Sequence, residues 1–176
     1  MLPFLFLAAT LAVAVPSLPN APVSTLDLSR YVGQWHEIAH LPMFFQRNCV
    51  DRTTATYTAQ SNGRIRVQNA CRAKDGSMMT VVGEARRVPG SPGALQVRFA
   101  PRWLGWLPMA WADYWVVDLD PGYRWAVVGG PSRKYLWILS RDPTMNRTLF
   151  EQIKARAAQR GYPVEKLVLT ATISDA

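Results

Sequence analysis

Between positions 33 and 141 the chain breaks into short runs rich in β-branched and aromatic residues, each closed by a turn-forming cluster. The runs fall at 34–41, 53–59, 64–71, 79–86, 94–99, 112–119, 124–128 and 134–140. The clusters include Ser61-Asn62-Gly63, Asp75-Gly76-Ser77, Asp120-Pro121-Gly122 and Gly130-Pro131-Ser132, with a Pro/Gly-rich stretch at 89–93. In such clusters Gly or Asn supplies a positive φ and Pro fixes its own, so each run reads as a strand. Several runs alternate: Arg64, Arg66 and Gln68 oppose Ile65, Val67 and Asn69, as suits a sheet wet on one face. Eight strands joined by short turns predict an all-β chain, an eight-stranded up-and-down antiparallel barrel or calyx. The period then changes. Leu149, Phe150, Ile153 and Ala157 recur at helical spacing, with Thr144 or Asn146 to cap the start and Gly161 and Pro163 to mark the stop. The spacing predicts a C-terminal α-helix, and the run at 167–172 a short ninth strand. An outer-membrane barrel is disfavoured, since its strands need about 9–11 residues and an apolar outer band.

The first fifteen residues, MLPFLFLAATLAVAV, carry no charge. A stretch this short fits a secretory leader better than a bilayer span, and Ala12-Val13-Ala14 supplies a small-x-small cleavage pattern. The expected organisation is a signal peptide at 1–14, an N-terminal extension at 15–27 and one domain at 28–176. No cysteine stands near the cleavage point, so the expected product is soluble, periplasmic or secreted, and not lipid-anchored. Cys49 and Cys71 are the only cysteines. In an exported chain they read as a disulfide, worth about 3 kcal/mol on the chain-entropy model, with two separate buried thiols as the alternative.

A length of 176 residues fits one domain. The 49% hydrophobic share excludes intrinsic disorder, and no apolar run reaches the length of a membrane-spanning helix. The formal charge of +8 admits nucleic acid, an anionic membrane or an acidic ligand as partner. Nucleic-acid binding would need basic residues clustered with exposed aromatics on one face. The arginines read as scattered, and no nucleic-acid partner is expected. Catalytic and metal chemistry find little support. His36 and His40 stand about 13 Å apart on a strand with no clear acidic partner, and hydrolase, zinc-protease and phosphate-loop motifs do not appear. No catalytic residue, metal site or cofactor is therefore expected. Asp118 and Asp120 read as turn residues, and Asn146-Arg147-Thr148 is discounted as a glycosylation acceptor because it falls at a helix start.

Three motifs carry a resemblance. Gly33-Gln34-Trp35 resembles the G-x-W signature that opens the first strand of the lipocalins. The segment from Tyr114 to Asp120, followed by Tyr123, is similar to the second signature of that family, although Leu119-Asp120-Pro121 stands where Thr-Asp-Tyr is usual. The segment from Tyr135 to Arg141 resembles the third, in which an Arg ends the eighth strand. The resemblance spans about residues 28–172 and is strongest to bacterial and apolipoprotein D-like lipocalins. It implies a calyx holding one ligand, with a plugged end and an open end.

In a meander of this order strand one starts, and strand eight ends, at the same end of the barrel. Trp35 and Arg141 can therefore meet there, the guanidinium lying on the indole face. The resemblance implies that this is the plugged, closed end, with Gly33, Trp35 and Arg141 as its structural residues. The loops at 42–51, 72–77, 100–111 and 130–133 gather at the other end. Two of them are unusually apolar: Phe44 and Phe45 in the first, Trp103 and Trp106 in the third, with Arg47, Arg72, Lys74, Arg102, Arg133 and Lys134 as basic neighbours. Three roles stay open for this rim: transient contact with a membrane surface, contact with the ligand, or a homodimer contact. The candidate ligand-binding residues are Tyr57, Tyr114, Val116, Tyr135, Trp137, Leu139, Phe44 and Trp106, each with plain core packing as its alternative. The expected function is storage or transport of a fatty acid or lysophospholipid at the cell envelope. An enzyme on the same calyx, acting on a hydrophobic substrate, is the alternative.

Overall fold

In the computed structural model, which describes residues 16–99 and 111–175, strands follow one another by antiparallel pairing until the sheet meets itself. They are β1 (Gly33–His40), β2 (Cys49–Ala59), β3 (Ile65–Ala73), β4 (Met78–Val88), β5 (Ser91–Arg98), β6 (Ala112–Leu119), β7 (Trp125–Gly129) and β8 (Trp137–Ser140). β8 then pairs with β1, from His36↔Ser140 to His40↔Trp137, and the barrel closes. Closure removes the unpaired edges that an open sheet would expose. Among the described residues this is the eight-stranded up-and-down barrel that the alternation predicts. The leader expected at 1–14 and Trp103, Trp106 and Arg102 of the third open-end loop lie outside the described residues.

Several boundaries differ from the hydrophobic runs. β2 and β4 each extend to 11 residues, because ladder hydrogen bonding continues past the apolar stretch. The eighth strand starts at Trp137 instead of position 134, since Arg133 takes φ 55° in the preceding turn. The expected ninth strand is two shorter ones. β10 (Val168–Leu169) adds to β1, while β11 (Thr172–Ser174) runs parallel to β9 (Thr144–Asn146). Between them Thr170 is still held to β1, its hydroxyl donating to the carbonyl of Glu37 and its backbone N–H to that of Ile38, each at 3.0 Å.

Two apolar layers result. The helix α2 (Arg147–Gln159) buries Phe150, Ile153 and Ala157 against Ile38, Val117, Val127 and Ile138 on the outer barrel face. Asn146 caps it, its side-chain oxygen accepting from the Leu149 N–H at 3.2 Å. Asp118 is not a turn residue; it pairs with Arg156 and Arg160 and fastens β6 to the helix. Asp120 does serve its turn, accepting from the Arg124 backbone and side chain. Inside the barrel, Trp35, Ile65, Ala85, Leu95, Val116 and Ala126 fill the closed half, with Tyr31 of the short helix α1 (Leu28–Tyr31) beneath them. Residues 16–27 run along the outside, Val23 donating to the Val116 carbonyl at 2.8 Å in a space that Gly93 leaves open.

The closed end is sealed by Arg141. Its guanidinium lies 3.8 Å from the Trp35 ring centroid and donates to the carbonyls of Gln34, Arg30 and Val32.

The arginines are not all scattered. Arg64, Arg86 and Arg98 converge on the Trp111 ring, at 5.4, 4.2 and 4.6 Å, with Glu84 paired to Arg64 and Arg98. Register explains what linear spacing hides: Glu84 faces Arg98, and Arg86 faces Gln96, across β4 and β5.

Candidate ligand-binding cavity

Period-two alternation turns one residue in two toward the barrel axis. In the open half those residues do not fill the space. They enclose a cavity of about 500 Å³ with predominantly apolar walls. Its inner end is made by Tyr57 of β2, Val67 of β3, Tyr114 of β6, Val128 of β7 and Leu139 of β8. Nearer the mouth stand Ala55, Cys49, Cys71, Met79, Val81, Val97, Phe99 and Trp137, with Tyr135 beyond the start of β8. A second concavity of about 610 Å³ lies outside the barrel where residues 19–25 cross Arg30 and Asp120, and its walls are more polar than apolar. It is a surface cleft at the closed end and not the calyx.

Of the residues expected at the ligand, Tyr57, Tyr114, Tyr135, Trp137 and Leu139 line the cavity together. Val116 does not. It shares the inward face of β6 with Tyr114 but lies deeper, fully buried in the packed closed half. Phe44 does not line it either: in the short 3-10 turn Phe44–Gln46 it is 75% exposed. Trp106 lies outside the described residues.

Cys49 and Cys71 are joined in a disulfide, their Cα atoms 5.6 Å apart, which ties the start of β2 to β3. The residue beyond that turn which fixes the mouth is Gln46. Its amide donates to Glu37 Oε2 at 2.8 Å, and its carbonyl oxygen accepts from Trp137 Nε1 at 3.1 Å. Glu37 is 5% exposed and also meets His40 Nδ1 at 2.7 Å and the Thr170 hydroxyl at 3.2 Å. A buried carboxylate is tolerable only with such partners. His40 therefore has an acidic neighbour, contrary to the expectation from the sequence. The arrangement is a bracing network: it holds the indole of Trp137 on the wall, where Tyr135 stacks on it at 6.2 Å. Among the described residues no three His, Cys, Asp or Glu side chains group in a way that would hold a metal ion.

At the floor, three tyrosines meet. The Tyr114 hydroxyl lies 2.7 Å from that of Tyr31 and 2.8 Å from that of Tyr57. Burial pushes the Tyr57 phenol up to about 12, and raises Tyr31 and Tyr114 well above the ordinary tyrosine value. All three stay protonated at neutral pH. Tyr31 and Glu37 were not singled out from sequence. Period two from Trp35 would have placed Glu37 on the inward face, but a charge there reads as an outward residue. Tyr31 precedes the first strand and carries no periodic signal.

Comparison with known proteins agrees with this geometry. The profile of the lipocalin-like domain matches residues 26–172. Temperature-induced lipocalin-1 of Arabidopsis thaliana is 42% identical over 149 residues, covering 82% of this chain and 78% of the plant protein. Outer membrane lipoprotein Blc of Citrobacter freundii is 38% identical, covering 92% of this chain and 90% of its own. Apolipoprotein D of Mus musculus is 31% identical, with 86% and 80% covered. Insecticyanin of the tobacco hornworm Manduca sexta superposes with a TM-score of 0.67 at 22% identity, covering 92% of this chain and 89% of that one, a likeness of fold. With the barrel closed, the calyx open at one end and the domain matched over nearly its whole length, the chain belongs to the lipocalin family.

Proposed function

We propose that this lipocalin is an exported carrier that holds one fatty acid or lysophospholipid in its calyx and stores or moves it at the cell envelope. The observation that carries the reading is the cavity of about 500 Å³, open at one end and walled by Val67, Val81, Val97, Val128 and Leu139. An acyl chain entering it leaves water at roughly 0.8 kcal/mol per methylene, which makes apolar burial the main source of affinity. The polar head stays at the mouth. Exposed Phe44 and Met78 lie on elements that reach that end, where the carrier would touch a membrane surface transiently while loading. Likeness to Blc, which is named an outer membrane lipoprotein, supports an envelope setting. The periplasm is the compartment proposed, and both cysteines of the chain are spent in the disulfide, so the reading uses no acyl anchor on them.

Solvent extraction of the purified protein followed by mass spectrometry of the extract tests this directly: a co-purified acyl lipid is expected. Titration with a fatty acid and a lysophospholipid, followed by tryptophan emission, then compares their affinities. An empty extract together with unchanged emission for both lipids overturns the carrier reading.

A further inference from the structure

The floor of the cavity holds one more hydroxyl proton than it uses. Tyr31, Tyr57 and Tyr114 carry three phenolic protons, and the two bonds that join them consume two. If the chain runs Tyr31 to Tyr114 to Tyr57, the spare proton is on Tyr57; if both outer hydroxyls donate inward, it is on Tyr114. Both of these residues line the cavity, whereas Tyr31 lies beneath the floor. An unspent donor costs more when sealed beneath the floor than when it faces an open space, so the orders that point it into the cavity are preferred.

A second observation is independent of the tyrosines. On the β2–β3 wall, Thr53 Oγ1 and Asn69 Oδ1 are buried without a hydrogen-bond partner. Thr53 is only 8% exposed, and both residues line the cavity. Native interiors rarely leave such atoms unpaired, and a plain hydrocarbon would satisfy none of them. Charge then narrows the ligand. Among the described lining residues the one Lys or Arg, Arg98, is paired with Glu84, and two acidic residues, Glu37 and Asp113, line the same cavity as Tyr57. A carboxylate pushed to the floor would be desolvated with no counter-charge. An uncharged oxygen would not.

We propose that the calyx floor is a hydrogen-bond donor site for a neutral oxygen at the buried end of the ligand, so that the protein prefers apolar chains bearing a hydroxyl or carbonyl at the end that enters first. This rests on the carrier reading above and specifies its ligand: a lipid oxygenated at the tail, with its charged head left at the mouth. Tyr57 and Tyr114 present the donor, while Tyr31 accepts or donates behind them and keeps the chain of hydroxyls in place.

The test is a matched pair of probes, dodecanoate and 12-hydroxydodecanoate, titrated into the wild-type protein and into Tyr57→Phe/Tyr114→Phe. The wild-type protein is expected to bind the hydroxylated chain at least as tightly as the plain one. In the double variant the hydroxylated chain should weaken about tenfold relative to the plain one, the cost of burying a hydroxyl with no partner. An unchanged far-ultraviolet circular dichroism spectrum reports that the variant folds, and the readout is the ratio of the two affinities, whatever the variant does to either alone. Should the variant not fold, the wild-type protein still decides the matter: 12-hydroxydodecanoate should perturb the near-ultraviolet tyrosine absorption and dodecanoate should not. An unchanged affinity ratio between the two proteins, or equal tyrosine spectra with both probes, overturns the donor site and leaves the carrier reading standing. Failure of the hydroxylated probe alone to bind the wild-type protein overturns the donor site, and failure of both probes overturns the carrier reading with it.

Discussion

The guanidinium of Arg141 lies flat enough over Trp35 to place its carbon 3.8 Å from the ring centroid, while its Nη1 stands 3.2 Å from where a Cβ on Gly33 would sit. Gly33 adopts φ +99°, a region costly for residues with a side chain. Three signature residues thus form one contact unit. Trp35 gives the face, Arg141 the charge and the carbonyl ligands, and Gly33 the room for the approach.

Arg141→Ala removes a cation–π contact and several charge-assisted hydrogen bonds, and should lower stability by about 2–4 kcal/mol. Gly33→Ala should cost about 1–2 kcal/mol through its backbone conformation. The two effects are coupled, because deleting the guanidinium also relieves the contact with a new Cβ. A double-mutant cycle by urea unfolding should therefore give a double variant less destabilised than the sum. Strict additivity would show that the Gly33 requirement is one of backbone conformation alone.

Alkaline pH acts on the floor of the calyx. The pKa values of Tyr31, Tyr57 and Tyr114 are raised above the ordinary value of 10.0, chiefly by burial. The folded state therefore binds more phenolic protons than the unfolded state once pH passes 10, and stability must fall as pH rises. The contribution is complete below about pH 10 and is lost as pH climbs toward and beyond about 12, the value to which Tyr57 is pushed. Each buried phenol adds a slope of about 1.4 kcal/mol per pH unit in that window. Denaturant unfolding at stepped pH should show the decline, and Tyr57→Phe should make it shallower. A wild-type slope no steeper than that of the variant would contradict the hydroxyl cluster.

The barrel was legible in the sequence because its signals are local. Turn clusters punctuate the strands, and Phe150, Ile153 and Ala157 recur at the helical period. Wall residues such as Tyr57, Tyr114, Trp137 and Leu139 followed from period two once one inward residue was assumed. Depth along the barrel was not legible. Val116 has the same parity as Tyr114 but sits in the packed half, because inclination and register of the strands decide which inward residues reach the cavity. Glu37 and Asn69 were hidden for another reason: a polar residue on an inward position is explained only by the partners the fold brings to it, such as Gln46 and Thr170 for Glu37, or by the absence of one, as at Asn69 Oδ1. The arginine cluster on Trp111 likewise exists only across strands.

The disulfide should matter for both stability and the mouth. Cys49 and Cys71 are 22 residues apart, and closing that loop is worth about 3 kcal/mol in the unfolded-chain account. Cys49 also lies three residues from Gln46, which braces Trp137. Cys49→Ser/Cys71→Ser should unfold at lower denaturant by that amount and bind lipid more weakly. Equal ligand affinity in a folded but destabilised variant would confine the bridge to a stabilising role.

Thr53 offers a test in the opposite direction. Its hydroxyl is buried without a partner at the cavity wall, so the folded state carries an unrecovered desolvation cost. Valine has the same branching and replaces the hydroxyl by a methyl group, which removes that cost and adds apolar contact. Both residues favour the extended conformation that β2 imposes. Thr53→Val should therefore raise the stability of the ligand-free protein by about 1 kcal/mol, measured as a later midpoint in urea with an unchanged m-value. The same substitution should leave the affinity for plain dodecanoate unchanged, since a hydrocarbon gains nothing from the hydroxyl. A loss of stability would mean that the Thr53 hydroxyl has a solvent partner inside the empty calyx, and that this wall of the cavity is wet before a ligand enters.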